Sequence, residues 1–187
     1  MKKNSAEGEC EEILMKQKVI VIAGPTASGK TDAAIDLAKK TNGEIISADS
    51  MQVYKDMDIG TAKPTLEEMQ GIKHYMIDII FPNEEFNVAK FKNLAEQYIE
   101  EILAQNKTPI IAGGTGLYIN SLIYNINYGQ ADTDFEYRNY LYDIEKSQGL
   151  GVLYDNFIKL DPEAAKKISC NDTKRIIRAL EIYKSTR

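Results

Sequence analysis

Short apolar segments recur along the first two thirds of the chain. KVIVIAG (18–24) is rich in β-branched residues and stops at a glycine, which is typical of a buried parallel strand. Three later stretches, EIISADS (44–50), HYMIDII (74–80) and TPIIAGG (108–114), are also short, apolar and bounded by polar residues or glycine. The pattern therefore predicts four strands of one parallel sheet.

Between these strands, apolar positions repeat at the spacing of an amphipathic helix. Helices are predicted from Lys30 to Lys40, from about Val88 to Ala104, and over GLYINSLIYN (116–125). Strands that alternate with helices in this way are typical of an α/β fold with a parallel sheet. From Asp134 onward the strand pattern disappears, and two to four helices are predicted instead.

The chain is predicted to contain three segments: a flexible, acidic leader (1–17), an α/β core (18–130) and a helical segment (131–187). The leader lacks the apolar stretch of a signal peptide, and no apolar run approaches the roughly 18 residues of a membrane span. Cys10 and Cys170 have no metal-binding spacing, so a reduced, cytoplasmic compartment is expected.

The formal net charge of −5 excludes a protein that is basic over its whole surface. The charge is uneven, because residues 138–187 carry ten basic and seven acidic side chains while the first 137 residues carry 13 and 21. An anionic polymer is therefore expected to prefer the C-terminal part. Nothing in the sequence predicts a membrane partner or an obligate protein partner.

The most specific motif follows the first predicted strand and opens the first predicted helix. Its glycines let backbone N–H groups form a nest for phosphate oxygens, and the helix start adds its positive end. Lys30 can reach the terminal phosphates, and the hydroxyl of Thr31 can bind Mg²⁺. The motif predicts a phosphate-binding loop that consists of Gly24, Pro25, Thr26, Ala27, Ser28, Gly29, Lys30 and Thr31.

Two further stretches lie at predicted strand ends, where parallel sheets present their ligands. Asp49 either accepts a proton from a nucleophile or forms a turn that caps the next segment. In GGTG (113–116) the glycines allow close approach of a ligand and Thr115 offers a hydroxyl, unless the stretch is a plain tight turn. Asp78 is open to a catalytic or a structural role, and His74 is expected to be structural.

Two absences bear on the chemistry of the predicted phosphate site. Nucleotide hydrolases of this type usually have an apolar strand that ends in Asp; PIIAGG (109–114) ends in glycine, although IISAD (45–49) could provide such a strand. The chain also has no arginine before Arg138. Phosphoryl-transfer enzymes usually bring arginine to the transferred phosphate, so this composition disfavours a kinase.

The last predicted helix, within NDTKRIIRALEIYK (171–184), has two faces. Ile176 and Ile177 belong to its apolar stripe. Three cations lie on the opposite side, and they form either an ordinary solvated face or a contact for a phosphodiester backbone. These cations are Lys174, Arg175 and Arg178.

Together these stretches resemble the tRNA dimethylallyltransferase family, also called tRNA isopentenyltransferases. The resemblance rests on GPTASGKT, ISADSMQVYKDMDIGTAKP, GGTGLYI and DPEAAKKISCNDTKRIIRALEIY, and it runs from about Lys18 to the end. It implies a P-loop NTPase-like parallel sheet flanked by helices, with a C-terminal helical appendage. Family members usually continue well beyond this length, so the chain is expected to lack their C-terminal part.

The resemblance also implies an activity and a set of residues. A dimethylallyl group would move from dimethylallyl pyrophosphate to the exocyclic amine of the adenine beside the tRNA anticodon. The phosphate loop would hold the departing pyrophosphate with Mg²⁺, and Asp49 would act as general base, with Thr115 and Lys30 also catalytic. The residues implied to contact tRNA are Asp49, Ser50, Met51, Gln52, Arg138, Lys174, Arg175, Ile176, Ile177 and Arg178.

The chain departs from the family pattern at four positions. Phe81 replaces an acidic residue, Asn87 replaces serine, Cys170 replaces a proline that is common there, and Arg187 stands where TG is usual. Asparagine caps helices as well as serine does, so a helix is still expected after Asn87.

Three other interpretations stay open. An adenylate isopentenyltransferase would prenylate free AMP, ADP or ATP, although the basic last helix favours tRNA. A small-molecule or nucleotide kinase would use Asp49 as its base and consume ATP. A folded fragment without catalysis would bind pyrophosphate or a partner.

Overall fold

A computed structural model describes residues 18–126 and 134–186 of the chain. These residues belong to two compact units, which divide between Tyr128 and Gly129. The predicted leader (1–17) and the predicted segment boundary at residue 130 lie outside the described residues.

The first unit contains a sheet of four strands: β1 (Ile20–Ala23), β2 (Gly43–Ser47), β3 (His74–Tyr75) and β4 (Thr108–Gly113). Their order is β1-β4-β2-β3, and each of the three pairings is parallel. β1 and β2 are consecutive along the chain but not adjacent in the sheet, and the same holds for β3 and β4; a helix lies between the two strands of each pair. β2 and β3 are neighbours both in the sheet and along the chain. The predicted α/β class with a parallel sheet is confirmed.

Three helices accompany this sheet: α1 (Lys30–Thr41), α2 (Val88–Ala104) and α3 (Gly116–Ile123). The side chain of Asn87 accepts a hydrogen bond from the Lys90 N–H at 3.0 Å, so the expected helix cap is confirmed. At the C-terminal end of α1, Asn42 adopts the left-handed conformation with φ of 50° that commonly ends helices.

The core of the first unit lies on both faces of the sheet, because successive strand residues point to opposite sides. Ile45 and Ile110 pack with the buried face of α1, around Ile35. Their chain neighbours Ile46 and Ile111 pack on the other face with residues of α2 and α3. Each face of the sheet is thus covered by helices, as burial of a parallel sheet requires.

Two strand predictions need correction. β3 is only two residues long, because Met76 and Asp78 have positive φ angles of 66° and 54° that end the extended conformation. β1 is half-exposed instead of buried, because it pairs with β4 alone among residues 18–126 and 134–186 and so lies at a sheet edge. β2 ends at Ser47, before Asp49.

The second unit is helical, as predicted from Asp134 onward. It contains α4 (Phe135–Gln148), α5 (Leu150–Leu160), the single turn α6 (Pro162–Ala165) and α7 (Thr173–Ser185). Aspartate side chains cap three of these helices by accepting a backbone N–H. None of the helices in the described ranges has both the length and the apolar composition to cross a bilayer.

Candidate active site

The predicted phosphate loop connects the carboxyl end of β1 to the start of α1. Ala27 and Gly29 have φ angles of 61° and 75°, and Gly29 occupies the cap position of α1. Left-handed residues in such a turn direct successive N–H groups toward one concave side, where an anion can bind. The free N–H groups at the start of α1 add to the same positive region.

Lys30 lies folded over this loop. Its ammonium donates a hydrogen bond to the Pro25 carbonyl, which also accepts one from the Ser28 hydroxyl at 2.8 Å. A bound phosphate would therefore compete with a loop carbonyl for Lys30, and the lysine is already at the phosphate-facing side of the turn.

A cavity of about 210 Å³ lies beside the loop, at the carboxyl ends of β2 and β4. The loop lines one side of it, from Thr26 to Asp32. Asp49 and Gln52, which follow β2, line it as well, and so do Thr61 and Ala62 from a more distant part of the chain. Lys30 is the one cation among the described lining residues.

Asp49 forms a turn and also lines the cavity. Its Oδ1 atom accepts the N–H groups of Met51 at 2.8 Å and Gln52 at 3.4 Å, which closes the turn after β2. Its carboxylate also lines the cavity, and Oδ2 has no hydrogen-bond partner within the described parts of the chain. One oxygen therefore fixes the side chain, and the other can accept a proton or a hydrogen bond from a ligand.

Thr115 stabilises this turn through two hydrogen bonds. Its Oγ1 atom accepts the Ser50 N–H at 3.0 Å, and its own N–H donates to the Ala48 carbonyl at 3.1 Å. Thr115 does not line the cavity, although the preceding Gly114 does. Thr115 therefore contacts the Asp49 turn. Its predicted catalytic contact would require it to line the cavity, which it does not.

The glycine pair before Thr115 has two separate explanations. A Cβ atom on Gly113 would lie 2.2 Å from the Ala48 carbonyl oxygen, so the space there is filled by backbone and not by a ligand. Gly114 lines the cavity and a Cβ atom there would meet the Gly24 carbonyl at 3.2 Å. Both glycines line the cavity, but the absence of a side chain is required at Gly113 by the Ala48 backbone.

Tyr118 lies under the Asp49 turn in a cluster of aromatic rings. Its ring stacks on Phe91 with centroids 4.2 Å apart and meets the edge of Phe86. Burial raises the pKa of Tyr118 to about 12, and the nearby Tyr54 and Asp49 add to the shift. The phenol therefore stays neutral well above physiological pH, and its ring packs within the aromatic cluster.

Of the residues predicted to contact tRNA, Asp49 and Gln52 line the cavity and Met51 is 42% exposed. In the second unit, Lys174 and Arg175 are exposed at the start of α7.

Arg138 and Arg178 share the buried carboxylate of Glu181. Arg138 binds it through two hydrogen bonds of 2.8 Å, and Arg178 through one of 3.3 Å. Ile176 and Ile177 are 0% and 1% exposed in the core of the second unit, so their side chains pack there and offer no surface to RNA.

His74 and Asp78 both have structural surroundings. His74 lies in β3, its Nδ1 atom is 2.9 Å from the Ile72 carbonyl, and its Nε2 atom is buried without a partner in the described ranges. Burial lowers the pKa of His74, an effect that the Ile72 hydrogen bond opposes. Asp78 pairs with Lys63 and does not line the cavity.

The sequence analysis did not identify Thr61, Ala62 or Lys63 as part of the site. Thr61 and Ala62 line the cavity, and Lys63 is buried next to them. These residues lie in a stretch without regular structure, where periodicity carries no signal. Lys63 lies inside a stretch that carries the family resemblance. That position was the one sign in the sequence that these residues belong to the site.

Oxygen atoms are the groups in this cavity that suit a magnesium ion. Thr31, Asp32 and Asp49 provide a hydroxyl and two carboxylates among the lining residues. In the described residues no group of three or more His, Cys, Asp or Glu side chains is arranged to hold a metal alone. That combination fits Mg²⁺, which binds few protein groups and takes its other ligands from phosphates and water.

A glycine-rich loop between a strand and a helix, at the carboxyl edge of a parallel sheet, defines a P-loop α/β protein. The family model described as IPP transferase matches residues 52–187. This chain therefore belongs to the IPP transferase family.

Curated relatives agree with this assignment. The tRNA dimethylallyltransferase of Acetivibrio thermocellus is 59% identical over 169 residues, which cover 90% of this chain and 54% of the relative. The tRNA dimethylallyltransferase of a Thermoanaerobacter species is 54% identical over 172 residues, covering 92% and 55%. The chain thus spans about half the length of the curated relatives that it matches.

Solved structures show the same likeness. The tRNA isopentenylpyrophosphate transferase of Bacillus halodurans aligns with a TM-score of 0.60 at 50% identity, over 90% of this chain and 56% of that protein. A eukaryotic dimethylallyltransferase described as acting on tRNA aligns with a TM-score of 0.77 at 39% identity, over 91% and 42%.

Proposed function

We propose that this chain carries the catalytic pocket of a tRNA dimethylallyltransferase. The reaction moves a dimethylallyl group from dimethylallyl pyrophosphate to the exocyclic amine of the adenine beside the tRNA anticodon. The observation that supports it best is that Asp49 and the phosphate loop line one cavity. The names of the relatives, all tRNA dimethylallyltransferases, support the choice of substrates.

The phosphate loop binds the pyrophosphate end of the donor. As the bond between the allylic carbon and the pyrophosphate oxygen breaks, negative charge increases on the leaving group. The loop N–H groups are in place for that charge before the reaction starts, and Lys30 can join them once it exchanges its hydrogen bond to the Pro25 carbonyl for one to the phosphate. Stabilisation of this kind is typically worth several kcal/mol, on the order of 3 per donor.

Asp49 acts on the acceptor. An adenine amine is a weak nucleophile because its lone pair is delocalised into the ring. As the amine nitrogen bonds to the allylic carbon, it must lose a proton, and the Oδ2 atom of Asp49 can take that proton. The fixed Oδ1 atom, which accepts the Met51 N–H at 2.8 Å, keeps the carboxylate oriented during the transfer.

Thr31, together with the carboxylate of Asp32, would hold a magnesium ion in this cavity. When bound, this ion would supply positive charge for the oxygens of the pyrophosphate.

The RNA would bind partly through the second unit. Lys174 and Arg175 are exposed on α7, and Arg138 and Arg178 present guanidinium groups around Glu181. Cations of this kind bind phosphates and set the position of an RNA, while the base itself must leave its stack to enter the pocket. We place the reaction in the cytoplasm, and the free thiol of Cys170 fits a reducing compartment.

The cavity argues against a kinase. Kinases neutralise the transferred phosphoryl group with several cations, but Lys30 is the one cation among the described lining residues. The first 137 residues also contain no arginine.

Product analysis tests the proposal. The 187-residue chain, and a chimera that joins it to the second half of the Acetivibrio thermocellus relative, are incubated with dimethylallyl pyrophosphate and unmodified tRNA, AMP or ATP. Mass spectrometry of the digested tRNA should show prenylated adenosine, with one pyrophosphate released per transfer. Prenylation of free AMP or ATP alone, a phosphorylated product, or no product from either protein would contradict the proposal.

A further inference from the structure

We propose that Lys63 is a positioning residue that fixes the part of the pocket wall that Thr61 and Ala62 form. The wall loop, residues 56–63, carries Thr61 and Ala62 into the lining of the cavity. Lys63 comes directly after them but does not line the cavity itself. The kinetic part of this inference rests on the proposed function, whereas its structural part does not.

The wall loop cannot hold its shape through regular hydrogen bonds. It contains neither helix nor strand, and Asp56, Gly60 and Ala62 have positive φ angles of 62°, 92° and 48°. An alanine in the left-handed region is unfavourable on its own and persists only where its surroundings impose it. Something outside the backbone must therefore keep Ala62 against the cavity.

Gln52 is the first anchor of the wall loop. Its side-chain Nε2 atom donates to the carbonyls of Thr61 at 3.3 Å and Ala62 at 3.0 Å. Its Oε1 atom accepts the Ser47 hydroxyl at 2.8 Å, which connects the loop to the last residue of β2. Gln52 therefore uses its amide within the protein, although the sequence analysis placed it against tRNA.

Lys63 is the second anchor. Its side chain is 5% exposed, and its ammonium donates to the Tyr54 carbonyl at 2.9 Å, to Asp58 at 2.7 Å and to Asp78 at 2.5 Å. An ammonium has three donors, so all of them are used. Burial opposes the charge of Lys63, but the two carboxylates outweigh this effect and raise its pKa, so it stays protonated.

Two of these bonds join the wall loop to other parts of the first unit, and the third closes the loop on itself. Asp58 belongs to the loop, whereas Tyr54 lies before it and pairs with Ile80 in a parallel bridge. Asp78 lies two residues before that bridge and is far along the chain from Lys63. Lys63 thus ties both ends of the loop to a packed part of the unit, one residue from Ala62.

The effect of Lys63 should be local. The side chains of Asp58 and Asp78 are 69% and 47% exposed, so water can solvate them if the lysine is lost. The fold should then survive, while Thr61 and Ala62 lose one of their two anchors. A misplacement of pocket groups by about 1 Å can reduce an enzymatic rate by a hundredfold.

The test compares Lys63→Met with Lys55→Met. Both variants are made in the protein that transfers the prenyl group, which is either the 187-residue chain or the chimera. Both variants lose one positive charge, and Lys55 lies outside the wall loop, 4.4 Å from the centre of the Phe81 ring. Lys63→Met should lower kcat/KM for prenyl transfer about tenfold or more. Inhibition by pyrophosphate, which the phosphate loop binds, and the melting temperature should change little. Lys55→Met should behave like the wild type.

A second readout needs no activity. Ile59, at the tip of the wall loop, is 97% exposed, so thermolysin can cut between Asp58 and Ile59 whenever the loop loosens. Cleavage at this bond should be about tenfold faster in Lys63→Met than in Lys55→Met. Equal cleavage in the two variants, or faster cleavage with unchanged kcat/KM, would overturn the proposal.

The two proposals fail in different ways. If no wild-type protein transfers a prenyl group, the proposed function fails and the cleavage rates still decide whether Lys63 holds the loop. If Lys63→Met does not fold, Asp78→Ala replaces it, because Asp78 is the second carboxylate partner of Lys63, is 47% exposed and lies away from the cleaved bond. Asp78→Ala should accelerate cleavage and lower kcat/KM to a smaller extent, and a variant identical to the wild type in both would refute the role of Lys63.

Discussion

Asp49 shows how a single residue serves the turn and the pocket at the same time. The sequence offered a turn former and a general base as alternatives, but one carboxylate oxygen closes the turn while the other is open to the cavity. Thr115 is different, because its hydroxyl is used by the Ser50 N–H and so acts on the site through that turn. Roles that depend on single side-chain atoms could not be predicted from residue type and position alone.

Gly113 provides a prediction at the residue scale. In Gly113→Ala, the new methyl group would lie 2.2 Å from the Ala48 carbonyl oxygen, so the ends of β2 and β4 must separate. We expect a loss of about 3 kcal/mol in the free energy of unfolding, measured by urea denaturation. Gly116→Ala is the matched control, because a Cβ atom there meets nothing within 4 Å. A loss in Gly113→Ala no larger than in that control would contradict the described packing.

At the scale of elements, α2 begins and ends at the predicted residues, because its 3.6-residue period and its Asn87 cap are both visible in the sequence. β3 was predicted too long, because the turns at Met76 and Asp78 occur in residues that seldom adopt positive φ. β1 was predicted as buried, but an apolar strand sequence does not reveal how many neighbours the strand has.

Glu44 connects three strands at the end of the sheet opposite the pocket. The Tyr75 hydroxyl of β3 donates to it at 2.8 Å, and Lys107, which precedes β4, lies 2.6 Å away. Burial raises the pKa of Glu44, but the hydrogen bonds from Lys107 and Tyr75 outweigh this effect and lower it below 4.5. The carboxylate therefore stabilises the fold above its unfolded-state pKa, and this contribution is lost as the pH falls through the lower folded-state value.

The corresponding test is the pH dependence of Glu44→Gln. The variant should be less stable than the wild type near pH 7, by about 1–2 kcal/mol in urea denaturation. The difference should shrink as the pH falls below 4.5, because the wild-type carboxyl then becomes protonated. A difference that stays constant down to pH 3 would show that charge on Glu44 does not stabilise the sheet.

Glu181 has a similar role between α4 and α7 in the second unit. It is 4% exposed and binds Arg138 and Arg178, whose side chains are 29% and 39% exposed. Glu181→Gln removes the buried negative charge and should cost about 2 kcal/mol of unfolding free energy. Glu163→Gln, which breaks an exposed pair with Lys166, should cost less than about 0.5 kcal/mol. Equal costs would show that burial does not strengthen the Glu181 cluster.

At the scale of the whole molecule, the sequence predicted an α/β part followed by a helical part, and the structure has these two units in this order. The family resemblance, which covered most of the chain, agrees with the match over residues 52–187. The wall loop could not be predicted from the sequence, because tertiary contacts of Gln52 and Lys63 fix its conformation. Such contacts join residues whose spacing follows no period.

The phosphate loop and Asp49 have separate roles in the proposed reaction: the loop binds the pyrophosphate, and Asp49 accepts the proton. Asp49→Asn keeps a side-chain oxygen for the turn but removes the base, so prenyl transfer to tRNA and the affinity for magnesium pyrophosphate should be measured together on wild type and variant. We expect transfer to fall at least about a hundredfold while the pyrophosphate affinity stays within about threefold. Unchanged transfer, or an equal loss of both properties, would contradict a role for Asp49 as the general base.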